Sequence, residues 1–197
     1  MKKHLFVIVS ALVCALLLFG CAGSNSNQVT NASEKNSEPV FDLAEYKKLV
    51  SACRKAINDA SLPVANVGQY EFTYWKAYQS IGGSSTAPDS MVDSAFESLA
   101  EKAAVTRDAV DTDYSDIRQQ YKDIILIEIE GREAEEIDAA FRSMYDAYSS
   151  MYNLVTSPSG SLLDFGNALL DYANALTSSD ENLSLFLDET DNANKSE

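Results

Sequence analysis

The chain has 197 residues, 46% of them hydrophobic and 23% charged, with 8 Gly, 4 Pro and 3 Cys. That is one domain's worth of sequence, too apolar to be wholly disordered, and three cysteines cannot build a disulfide framework. Fifteen Lys and Arg against 30 Asp and Glu give a charge of −15, which disfavours DNA or RNA as a partner because phosphate backbones reward basic surfaces.

Lys2 and Lys3 precede an apolar run from Leu5 to Phe19, long enough for an export signal and short for a spanning helix. The run closes on Leu18-Phe19-Gly20-Cys21, which resembles the lipobox of bacterial lipoproteins. The resemblance implies a signal peptide over 1–20, cleavage before Cys21, and lipidation of that cysteine. Several acyl chains on one residue anchor a protein stably, on the extracytoplasmic face of the cell membrane. Cleavage removes Cys14 and His4, the only histidine, and with it Ser-His-Asp triads and His-metal sites. It leaves 13 basic against 30 acidic residues, a charge of −17, so the body is repelled by anionic headgroups. Plasma-membrane retention and outer-membrane sorting both remain open. Residues 21–40, rich in Ser and Asn, read as a lipidated cysteine and flexible tether, and 190–197 as a disordered tail.

Residues 41–189 read as an all-α domain. Asp42 and Glu45 form a capping box, and apolar residues then recur in steps of three and four: Tyr46, Val50, Cys53, Ile57, Ala60, Val64, Val67. The register continues through Glu71 to Tyr74, Tyr78 and Ile81, and Gly82-Gly83 ends it. Pro63 interrupts this seam; a kinked helix is preferred over two separate ones. A second helix is expected from about Pro88, with Val92, Phe96, Leu99, Ala103, Thr106, Val110, Tyr114, Ile117, Tyr121 and Ile124 on its seam. Ile125 to Ile129 are assigned to its end, before Gly131. A third seam runs from Ile137 through Phe141, Met144, Tyr148, Met151 and Val155, and resumes at Leu162, Phe165, Leu169, Tyr172 and Leu176. Ser157-Pro158 either kinks this helix or caps a new one, and Ser178 with Glu181 offers a last capping box. The expected architecture is an elongated antiparallel bundle of three long, proline-kinked helices, or of five to six shorter ones.

Chemistry-bearing patterns are few. Asp108, Asp111, Asp113 and Asp116 lack the glycine and terminal glutamate of an EF-hand loop and read as a solvated helix face. Glu128, Glu130, Glu133, Glu135 and Glu136 surround Gly131, where carboxylates suit a helix start. A hydrolytic carboxylate pair would need a separation that nothing here sets. No G-x-S-x-G, S-x-x-K, C-x-x-C, H-E-x-x-H or phosphate-binding glycine loop occurs. No metal or cofactor is expected. The candidate ligand or partner contacts are Tyr70, Glu71, Tyr74, Trp75 and Tyr78 on the first helix, with Tyr145 and Tyr152 on the third. Their helical spacing is also the spacing of core residues. Glu71, the single charge on its seam, must be paired, wetted or protonated. Cys53 sits mid-seam as a small core side chain. Any pocket is expected between Pro63 and Tyr78.

The segment Asn153-Leu-Val-Thr-Ser-Pro-Ser-Gly-Ser-Leu-Leu163 is similar to one in a group of uncharacterised helical lipoproteins of Gram-positive bacteria. The shared order of parts is lipobox, polar tether, a long helix with a Tyr- and Trp-containing stretch (here Tyr70 to Tyr78), and a helix broken at an S-P-S-G-S-L-like segment. The resemblance implies a helical body and a single-membrane organism, and brings no catalytic residue. The expected function is a non-enzymatic interaction module, held to the membrane through Cys21, that binds an envelope protein. The alternative is a lipoprotein that binds a small ligand, a sugar or peptide, in an aromatic-lined pocket near Pro63. The oligomeric state is left open.

Overall fold

A computed structural model describes residues 41–187. The signal peptide, Cys21, the tether and the tail lie outside the described residues. Among the described residues there are five α-helices and no strand.

Helix α1 (Leu43–Ser80) begins where Asp42 accepts the N–H of Glu45 at 2.7 Å. It runs unbroken through Pro63, over about 57 Å at 1.5 Å per residue. The proline forfeits one backbone hydrogen bond. Val50, Cys53, Ile57, Val64 and Val67 are fully buried on both sides of it, and this continuous packing holds the helix together.

The second seam is two helices, not one. Helix α2 (Met91–Ala103) ends at Ala104, a non-glycine residue in the left-handed region at φ 55°. Helix α3 (Arg107–Ile124) starts afresh, with the Thr106 hydroxyl accepting the N–H of Ala109 at 3.3 Å. Thr106, expected on the seam, is therefore a cap. Ile125 to Ile129, expected as the helix end, leave the helix and lay Ile125, Ile127 and Ile129 against the core as irregular chain.

The third seam also breaks. Helix α4 (Arg132–Thr156) stops at Ser157, and helix α5 (Leu162–Leu187) starts after Gly160, whose φ is +83°. The cap is Ser161 rather than Ser157: its hydroxyl accepts the Asp164 N–H at 3.2 Å and donates to the Asp164 carboxylate at 2.6 Å. Ser178 and Glu181 start no helix; α5 runs through both.

Side-chain partners give the directions. On α1 and α5, Phe72 meets Gly166, Gly68 meets Leu169, and Arg54 and Asn58 meet Asp180, so the two run antiparallel. Lys47 pairs with Glu133 and Gly68 touches Val155, so α1 and α4 run parallel. Trp75 shares a cluster with Met91, and Lys102 lies over Tyr70, so α2 runs back along α1. Helix α3 continues that direction, since Asp111 reaches Tyr152 and Tyr121 reaches Tyr145 on α4. The result is an up-down-up-down bundle whose second arm is broken at Ala104. Its main core runs through all five helices, with Trp75, Met91 and Phe165 as a smaller cluster at the end of α1.

Candidate functional site

The aromatic candidates separate by partner. Tyr145 is buried and stacks on Tyr121 with ring centroids 3.7 Å apart. Half-buried Tyr152 stacks on Tyr114, also at 3.7 Å, and its hydroxyl donates to Asp111 at 2.7 Å. Burial, then Asp111, pushes the Tyr152 phenol up to about 12. Tyr148, between them on α4, is fully buried and its hydroxyl has no partner. These rings fill the space between α3 and α4. On α1, Tyr70 and Tyr74 are half-buried with centroids 6.5 Å apart. Tyr78 is partly exposed, and Trp75 is sealed against Met91 and Phe165 with its indole N–H unpartnered.

Glu71 is 0% exposed, and neither carboxylate oxygen has a hydrogen-bond partner. Burial pushes its carboxyl up to about 8, against a smaller opposing pull from Arg107. Of the three states open to it from sequence, the protonated one fits. Cys53 is fully buried, and burial raises its thiol to about 12, which makes it inert.

An open concavity lies elsewhere on α1. A groove of about 390 Å³ runs between α1 and α5. Ala65, Gln69 and Phe72 form one wall; Leu163, Gly166, Asn167, Leu169, Leu170 and Ala173 form the other. It falls within the Pro63–Tyr78 stretch, but none of Tyr70, Glu71, Tyr74, Trp75 and Tyr78 lines it. Leu163 is 70% exposed and Leu170 60%; Leu62, one turn before Ala65 on the same face, is 66% exposed. The signal for this groove was in the doubled leucines. Leu162 and Leu169 belong to the inward seam, and their neighbours Leu163 and Leu170 make a second stripe with a seven-residue spacing.

A smaller cleft of about 250 Å³ gathers Ile125, Ile127 and Ile129 with Glu128, Glu130 and Glu135 beside Arg142. Part of the glutamate cluster around Gly131 is thus brought together at the α3–α4 junction. No group of carboxylates, cysteines or histidines among the described residues is arranged to hold a metal. No helix among them is long and apolar enough to cross a membrane. Comparison with known proteins matched no family model, no curated protein and no solved structure.

Proposed function

We propose that this chain is a lipid-anchored interaction module of the cell envelope, held at the extracytoplasmic face through Cys21 and binding a protein partner without catalysis. The open apolar groove between α1 and α5 carries this reading. Two of its lining leucines, Leu163 and Leu170, are largely exposed, and so is Leu62, one turn before Ala65 on α1. Covering one leucine side chain contributes roughly 1.5–3 kcal/mol, so a partner that covers this face gains several such terms. The lipobox ending in Cys21 and the polar tether support the location. A small-ligand role has less support. The groove's volume suits a small molecule, but it offers one aromatic ring, Phe72, and two polar side chains, Gln69 and Asn167.

The test is differential co-purification. The full-length protein and a Leu163→Asp/Leu170→Asp variant are recovered from membranes of the native cells. A protein enriched with the first and lost with the second is the expected result. Identical recovery with both removes the groove as the contact surface. Exchanging residues 1–20 for an ordinary cleavable secretory signal together with Cys21→Ala should release the protein from the membrane fraction; continued sedimentation with membranes would contradict the anchor.

A further inference from the structure

We propose that the α1–α5 groove receives an amphipathic helix of a protein partner, with Lys or Arg flanking its apolar stripe. The proposal rests on the interaction-module reading above and names the partner's chemistry.

The shape argument comes from spacing. On α1 the outward face runs Leu62, Ala65, Gln69, Phe72, in steps of three, four and three. On antiparallel α5 it runs Leu163, Gly166, Leu170, Ala173, again in steps of three, four and three. Both helices already spend one such seam on the core. A second seam on each, side by side, is the surface into which a third helix packs its own i, i+3, i+4, i+7 residues. Each seam is about 15 Å long, or three helical turns. An extended peptide would find no strand edge to pair with here, because both walls are helices.

The charge argument selects the partner. Helix α5 carries Asp164, Asp171, Asp180 and Glu181 and no basic residue. Asp180 is held by Arg54 and Asn58, and Asp164 by Ser161. Asp164 and Asp171, next to Leu163 and Leu170, are both exposed; Glu181 lies more than two turns beyond Ala173. Lys76 stands a turn beyond Phe72, at one end of the α1 wall. A second copy of this chain would bring its own Asp171 edge and a strongly net-acidic body onto the same surface. Like charges placed across an interface weaken it, and opposite ones speed and select association. A basic-edged helix meets the apolar floor and the acidic rim together.

The experiment selects binders to the full-length protein in detergent from a displayed library of random peptides of about five helical turns. The expected binders repeat apolar residues at i, i+3 or i+4, and i+7, with Lys or Arg beside them. Their affinity should fall about tenfold or more on Leu170→Asp. It should fall by a smaller factor on Asp171→Lys, which leaves the apolar floor intact, and weaken with added salt. Leu170 and Asp171 are exposed, so circular dichroism should show both variants folded. Groove-dependent binders without basic residues, indifferent to Asp171→Lys, would overturn the proposal and leave the interaction-module reading standing. An absence of Leu170-dependent binders would remove both. Self-association in ultracentrifugation, abolished by Leu170→Asp, would make a second copy the occupant and overturn the proposal. So would Leu170-dependent binding to vesicles in place of peptides.

Discussion

Gly166 of α5 lies so close to the ring of Phe72 that a Cβ there would stand 2.5 Å from Phe72 Cε2 and 3.1 Å from Cδ2. This contact sets the floor of the α1–α5 groove. The missing side chain lets the edge of the ring come up against α5, and Leu163 and Leu170 stand one turn away on either side along the helix.

Gly166→Ala should therefore be destabilising, although alanine is the better helix former. The propensity gain is about 1 kcal/mol. Forcing a methyl against the ring costs about 1–3 kcal/mol, so a net loss of up to about 2 kcal/mol is expected. Urea denaturation measures it. Phe72→Leu added to Gly166→Ala should recover most of the loss; a double variant no better than the single one would place the strain elsewhere.

Glu71 makes stability depend on pH in an unusual direction. Its carboxyl is raised by burial from 4.5 to about 8, so the native state holds the proton more tightly than the unfolded chain does. Below the unfolded value the carboxyl is protonated in both states, and its ionisation costs no stability. Stability then falls as pH rises through the window from 4.5 to about 8, by at most about 1.4 kcal/mol per pH unit, and levels off above it. Glu71→Gln should remove this slope. Glu71→Leu should be more stable than the parent at pH 8 by about 2 kcal/mol or more. Parallel stability–pH curves for parent and Glu71→Gln would show that the group is ionised and solvated.

Two of the three phenols on α4, Tyr148 and Tyr152, should respond oppositely to loss of the hydroxyl. Tyr152 donates to the Asp111 carboxylate at 2.7 Å, and Tyr152→Phe should cost about 1–2 kcal/mol. Tyr148 has a buried hydroxyl with no partner, so Tyr148→Phe should be neutral or stabilising by up to about 1 kcal/mol. Chemical denaturation of both variants checks the pair. Equal losses would mean that Tyr148 has a partner in solution.

Ala104 closes α2 at φ 55°, where a Cβ is strained. The left-handed conformation costs a non-glycine residue roughly 1–2 kcal/mol. Ala104→Gly removes that cost but loosens the unfolded chain by about 0.4–1 kcal/mol, so a net gain of about 0.5–1 kcal/mol is expected. A loss measured in a thermal melt would indicate that the turn at 104–106 has a different backbone.

The helical class and the inward seams were legible because burial here follows heptad spacing: Tyr46 through Val67, and Ile137 through Val155, are buried nearly throughout. The breaks were less legible. Pro63, the strongest local breaker, is overridden by packing along α1. The turn at Ala104 carries no Gly or Pro; its local marks are Thr106 as a cap and exposed Ala103 on the apparent seam. At Ser157–Ser161 the apolar register is the same on both sides, so periodicity cannot tell a kink from a reversal. The aromatic stretch has the composition of a binding site, yet Trp75 and Glu71 are sealed. Helical spacing tells which residues share a face, and burial depends on which faces other helices cover. The groove lies on another face, where Leu163 and Leu170 stand outside the inward seam.

The most direct measurement places a photo-reactive residue in the lipidated, full-length protein in living cells, at Asn167 in the groove and, separately, at Tyr78 on the aromatic side. The account predicts a discrete protein adduct from Asn167 that disappears when Leu170→Asp is added, and a weaker one or none from Tyr78. An adduct from Tyr78 with only lipid or nothing at Asn167 would contradict it.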